Sequence, residues 1–342
     1  GRGATAPPFV DPQQEVQASM ALLTAPTEPS SVGPPLSLEP SSRRLGEKFI
    51  VALLFGAAAL AVLITVGIVL AIAGPTIEFF RQVPFSRFFS TEAWAPNFVP
   101  DGFGVYNILA GTAAIVLYSC MIALPAGLGA AIYLNEYASH RARRILKPVL
   151  EVLEGIPTVV YGLFALAFVA PLLQEIWPTF VPGKLGDPPG FQFVLSAGVV
   201  LGIMIIPTVA SVSQDAMSAI PHGLREAAYG LGSTKMQVAT KVVVPSAFSG
   251  IVASFVLGLS RAVGETMVVL MAAGAIANLT LWPNDPVLTM TAFIGRTATG
   301  DVGFGTTTYY TLFAVAALLF VITLVVNMIS IALVRKFREV YE

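Results

Sequence analysis

From Phe49 onward the chain alternates between long apolar runs and short polar connections. Six runs carry few or no charges: Phe49–Ala73, Val105–Leu134, Gly155–Leu173, Phe191–Gln214, Ala247–Gly274 and Tyr309–Val334. Each is close to or longer than the ~20 residues a helix needs to cross about 30 Å of hydrocarbon. None shows the period-2 alternation of a barrel strand, and only helices or closed barrels satisfy their backbone groups in lipid. The pattern therefore predicts an all-α membrane protein with six transmembrane helices. The first 42 residues are different, rich in Pro and Ser and poor in large apolar side chains. Such a stretch buries too little apolar surface to offset its ordering entropy, so 1–42 is expected to be a disordered tail and 43–342 the membrane domain. The tail lacks the basic-then-apolar layout of a signal peptide. It opens on Gly1 rather than Met, so a missing or trimmed start is expected.

Composition agrees with the pattern. Hydrophobic residues make up 55% of the chain and charged residues 11%, less than half the roughly 25% of a soluble domain. The formal net charge of −1 argues against a nucleic-acid binder. A single cysteine, Cys120, excludes an intrachain disulfide and a cysteine-based zinc site. Basic residues set the orientation. Arg43, Arg44, Lys48, Arg335, Lys336 and Arg338 flank the first and last spans. Arg141, Arg143, Arg144 and Lys147 lie in the 2–3 connection, and Arg225, Lys235 and Lys241 in the 4–5 connection. The opposite side carries only Arg81, Arg87, Lys184 and Arg296, together with Trp94, Trp177 and Trp282. The positive-inside rule then places both termini in the cytoplasm.

The 4–5 connection, 215–246, is the longest of the cytoplasmic ones. Pro221 is placed to open a helix, Gly230 and Gly232 to end it, Ser233 to cap a second helix, and Pro245 to interrupt the run where span 5 begins. Within it Glu226-Ala227-Ala228 is followed after three residues by Gly232, and after nine more by Val242-Val243-Val244-Pro245. This spacing resembles the EAA signature of bacterial ABC importer permeases, with valines in place of the usual Ile and Leu. The resemblance implies the type I importer permease architecture and a coupling helix, built on Glu226, Ala227, Ala228, Gly232 and Pro245, that docks on a separate ATPase. A short rigid helix with a glycine hinge is suited to pass motion from a soluble motor to membrane helices. The plainer alternative is an amphipathic loop lying on the headgroups. The chain has no G-x-x-x-x-G-K-[ST] motif, so another chain would have to hold ATP.

Span 5 carries two charges, Arg261 and Glu265. Four residues apart on a continuous helix, they would share a face near mid-bilayer. A charge there is costly and should face protein or a water-filled path. Arginine's planar fork suits phosphate or another oxyanion. Glu265 would neutralise Arg261 in the empty site and keep anion binding weak enough for release. The alternative is a structural ion pair within the helix. Glu151 and Glu154, at the start of span 3, are explained by helix-terminus electrostatics, with a pathway role as the minor alternative. Thr158 and Tyr161 either line a polar path or bond nearby carbonyls. His140 and His222 are expected to be solvated in loops.

Arg261-Ala262-Val263-Gly264-Glu265-Thr266-Met267, with Ile203-Met204-Ile205-Ile206-Pro207 and Ile156-Pro157-Thr158-Val159-Val160-Tyr161-Gly162, resembles the PstC permeases of bacterial phosphate importers over roughly 45–340. The sister PstA permeases share the R-x-x-G-E-T core but continue with Ala-Pro. The resemblance implies phosphate translocation past Arg261 and Glu265; beside them Ser260, Thr266, Thr158 and Tyr161 are the further residues expected along the path. It also implies an inner-membrane location and a PstA-like partner permease. Two PstB-like ATPases would hold ATP and Mg, a PstS-like periplasmic protein would deliver phosphate, and a PhoU-type regulator would be linked to the assembly. No cofactor, metal or catalytic residue is expected in this chain. The rivals are a permease for molybdate or sulfate, or a self-sufficient secondary transporter or channel. An intramembrane enzyme fares worse, because no metalloprotease or serine-hydrolase motif is present.

Overall fold

The computed structural model describes residues 45–98 and 101–336. The expected tail, 1–42, lies outside the described residues. The chain divides into two compact units at Val62, the described part of the first being the beginning of one long helix. Helix α1 (Leu45–Gln82) is apolar on every side, and its side chains from Phe49 to Leu70 are largely exposed. A helix hydrophobic all round belongs in lipid or against another chain.

In the second unit, α2 (Tyr106–Ile132) continues through a π turn, Tyr133–Tyr137. Then follow α3 (His140–Glu154), α4 (Thr158–Glu175, with a π turn at Ala165–Val169) and α5 (Val194–Ser218). The 4–5 connection holds α6 (His222–Gly230) and α7 (Lys235–Ser246). The chain ends in α8 (Phe248–Gly264), α9 (Met267–Ala272), α10 (Met290–Thr299) and α11 (Thr307–Lys336). Among the described residues, five helices are long and apolar enough to cross a membrane. A sixth crossing arises if α7 and α8, bent by 74° where they meet, count as one.

Two expectations need correction. Span 5 is not one helix over 247–274. Glu265 adopts extended backbone (φ −66°, ψ 132°), which ends α8 and starts the separate short helix α9. Gly264 loosens the last turn of α8, and the Glu265 carboxylate then satisfies the backbone that the break exposes. Likewise span 3 does not begin at Gly155. Glu151 and Glu154 lie in the last turn of a separate helix, α3, which stops ahead of Pro157. The residue before a proline is steered away from helical backbone, and Ile156 fills that position.

The core forms where α2 and α5 cross. A Cβ on Gly127 would meet Val209 Cβ at 2.7 Å, and one on Gly202 would meet Ser119 O at 3.0 Å. Small residues let the two backbones approach, as membrane helices require when apolar burial no longer distinguishes protein from lipid. Around this seam Ile115, Ala123, Leu201, Met204 and Ile205 are fully or almost fully buried. A second cluster, Phe79, Phe88 and Phe103, packs edge-to-face at 5.4 and 5.6 Å beside a small hairpin in which Trp94 pairs with Phe103.

Candidate functional site

Arg261 lies in the last turn of α8, about 20 Å along it at 1.5 Å per residue. Its Nη1 donates to Glu154 Oε1 (3.2 Å) and to Thr208 Oγ1 (3.0 Å). Thr208 Oγ1 in turn donates to the same Glu154 oxygen at 2.9 Å. Three helices, α3, α5 and α8, are thereby tied at one point. Thr208 is buried, while the Arg261 and Glu154 side chains keep 28% and 39% of their exposure. The guanidinium is thus neutralised on one side and open on another. Its Nε and Nη2 have no hydrogen-bond partner among the described residues.

Glu265 is elsewhere. It makes no ion pair with Arg261, because the break at ψ 132° takes it off the helical face on which the two would meet. Its Oε1 accepts from the backbone N–H groups of Met267 (3.0 Å) and Val268 (3.2 Å), and its carbonyl accepts from Thr291 Oγ1 (2.7 Å). A carboxylate at a helix start satisfies otherwise unpaired donors and is favoured by the helix dipole. Glu265 therefore builds the interruption in span 5. Ser260 Oγ donates to Asn327 Oδ1 of α11 (2.9 Å). The Thr266 hydroxyl makes only a long bond to Gly264 O, 3.4 Å, while its carbonyl accepts from Leu270 N at 2.9 Å. Tyr161 OH donates to Leu153 O at 2.8 Å, bridging α4 back to α3 one residue from Glu154. Thr158 is half-buried at the first turn of α4.

The 4–5 connection is built from standard helix-end chemistry. Ser233 N donates to Ala228 O (3.1 Å) and Gly232 N to Tyr229 O (2.9 Å), a Schellman end to α6. That motif needs a left-handed residue, and Gly232 supplies it at φ +81°. Thr234, not Ser233, caps α7: its Oγ1 accepts from Gln237 N while Gln237 Oε1 accepts from Thr234 N. Pro245 follows a π turn over Ala239–Val243 and precedes the 74° bend. Ala228 is buried, whereas Glu226 and Ala227 are exposed.

Three residues carry more than the sequence reading assigned them, Glu154 having been given a pathway role only as the minor alternative. Glu154 and Thr208 complete the arginine site. Their signal was the need of a mid-span arginine for a partner, and Glu154 is one of the few acidic residues bordering an apolar run. The third, Arg225, entered only as a positive charge. Its guanidinium donates to Glu136 Oε1 (3.3 Å), Ile220 O (2.8 Å) and Met217 O (2.7 Å). It anchors α6 to the ends of α5 and of the α2 π turn. The Arg225 and Glu136 side chains are only 12% and 6% exposed.

Residues 123–339 match the family described as binding-protein-dependent transport system inner membrane component. The chain belongs to this family. It is 36% identical over 220 residues to the probable ABC transporter permease protein YqgH of Bacillus subtilis, covering 63% of this chain and 68% of that one. It is 34% identical over 253 residues to the phosphate transport system permease protein PstC of Mesorhizobium japonicum (71% and 76% covered). The PstC of Haemophilus influenzae is 34% identical over 256 residues (72% and 80% covered). Among solved structures, a bacterial ABC transporter involved in alginate import superposes with a TM-score of 0.57 at 15% identity, covering 87% of this chain and all of that one. The MetNI methionine ABC transporter gives 0.51 at 20% identity, with 69% and 94% covered. These two establish the fold. The protein is a multi-pass component of a membrane transport system of this binding-protein-dependent family, and the EAA-like loop found in the sequence lies inside the matched region.

Proposed function

We propose that this chain is a transmembrane permease subunit of an ATP-driven inorganic phosphate importer. The observation that carries this reading is Arg261, held inside the bundle with one edge of its guanidinium open. A charged planar fork of N–H donors matches the geometry and charge of an oxyanion. The resemblance to PstC proteins selects phosphate among oxyanions. Phosphate passes Arg261, with Glu154 and Thr208 beside it and Ser260, Thr158 and Tyr161 on the neighbouring helix faces. Glu265 and Thr266 shape the break that brings the arginine to the path.

The rest of the machine is supplied in trans. A PstA-like permease completes the path, two PstB-like subunits hold ATP and Mg, and a PstS-like protein delivers the anion. A PhoU-type regulator contacts the assembly. The loop with α6 and α7 faces the cytoplasm, as do both termini. Glu226, Ala227, Gly232 and the exposed Pro245 face the ATPase, while Ala228 packs in one cluster with Met217 and Ile251 and fastens the loop to the bundle.

The test is radiolabelled phosphate uptake with the partner permease, ATPase and binding protein co-expressed, in cells lacking their own high-affinity system. ATP-dependent uptake that persists in excess sulfate and molybdate is the expected result. Uptake abolished by either competitor would move the substrate to that oxyanion.

A further inference from the structure

Glu154 is placed where helix electrostatics disfavour it. It is the last residue of α3, at the negative end of the helix dipole, where a carboxylate is destabilising unless a cation offsets it. The cation is Arg261, which reaches it from a residue 107 positions away in sequence. The contact is also lopsided. Glu154 and Thr208 together occupy a single guanidinium nitrogen, Nη1. A pair optimised only for adhesion would use two parallel N–H···O bonds, as Arg–carboxylate pairs commonly do. Here the Nε–Nη2 edge, the one that grips an oxyanion with two bonds, is left without a partner among the described residues.

We propose that Glu154 is the counter-ion that positions Arg261 for its anion and limits how tightly that anion is held. Together with Thr208 it fixes the Nη1 corner, so the guanidinium presents its Nε–Nη2 edge to the path. Its negative charge, close to the bound oxyanion, weakens the complex and speeds departure. No proton or covalent bond changes hands. Translocation sites must hold their ion weakly enough to release it, and a fixed like charge next to the ligand achieves this. The inference rests on the reading of Arg261 as the phosphate contact. It replaces Glu265 with Glu154 as the neutralising group.

The experiment is phosphate transport by the whole reconstituted complex in proteoliposomes, with KM and kcat measured for Glu154→Gln, Glu154→Asp, Thr208→Val and Arg261→Ala. Glutamine keeps the acceptor oxygen for Nη1 and removes only the charge. Glu154→Gln is expected to lower KM about tenfold, the change that 1.4 kcal/mol produces, and to lower kcat as release slows. Glu154→Asp is expected to restore kcat in part. A purely structural role would not split the two parameters in this direction. Wild-type KM and kcat in Glu154→Gln would overturn the inference. If that variant does not assemble, Thr208→Val decides, because it loosens Arg261 without touching the charge. It is expected to raise KM at least about threefold with kcat nearly unchanged, the loss of one hydrogen bond to a charged group. A wild-type KM there overturns the positioning role. Arg261→Ala separates the two levels. Normal transport by that variant would remove the phosphate reading itself, whereas an inactive Arg261→Ala beside a wild-type-like Glu154→Gln would remove only the role of Glu154.

Discussion

At the scale of residues, the decisive difference concerns two glutamates. Spacing alone pairs Arg261 with Glu265, since residues four apart on a helix are neighbours. That argument assumes an unbroken helix, and Gly264 followed by Glu265 breaks it. The arginine itself was legible, because a charge in an apolar run stands out. Its partner was not, because the contact crosses 107 positions and depends on where α3 ends. Glu265, capping α9 through two backbone N–H groups, should behave as a structural residue. Glu265→Ala is expected to destabilise the complex by about 1 kcal/mol, the usual loss for a cap, and to lower the Tm in detergent. An unchanged Tm would argue that its carboxylate is not needed at the break.

At the scale of elements, the 4–5 connection was the most legible part of the chain. Its glycine, its caps and its proline are local signals, and local signals survive the absence of tertiary information. The cap moved by one residue, from Ser233 to Thr234, which is the usual uncertainty of a helix end. Gly232→Ala would place a Cβ at φ +81° and is expected to cost about 1–2 kcal/mol, loosening the turn between α6 and α7. The readout is ATP hydrolysis per phosphate transported, which should rise; an unchanged ratio would show that the rigid turn is not part of coupling. Arg225 was invisible as a structural residue, since nothing in sequence brings it to Glu136 of the α2 π turn. Arg225→Ala would leave Glu136 with only the Asn135 amide as donor and two carbonyls without their guanidinium, at an expected cost of about 2 kcal/mol. The pair Arg225→Glu with Glu136→Arg should recover part of the assembled complex seen by size-exclusion chromatography. Equal losses in the single and double variants would show that the ion pair contributes nothing.

At the scale of the whole molecule, hydropathy was enough to find the membrane helices, because lipid imposes length and composition on every crossing. The break in span 5 escaped it. Hydropathy does not register a change of ψ at one residue, and the missing hydrogen bonds are made by side chains such as Glu265. The crossing of α2 and α5 was also hidden, as glycines at 127 and 202 matter only once the two helices are placed together. Gly202→Leu is expected to separate these helices and prevent assembly, measured as loss of co-purified ATPase; normal recovery of the complex would contradict the close approach. In the proposed importer this chain supplies the arginine, and the ATPase is a separate subunit. The most direct test of that claim is ATP-dependent phosphate uptake by the assembled complex carrying Arg261→Ala, beside the wild type and at matched amounts of assembled protein. The account predicts uptake reduced by about 100-fold or more, the loss expected when a charged hydrogen-bonding group is removed from a desolvated site. Uptake at the wild-type rate would contradict it.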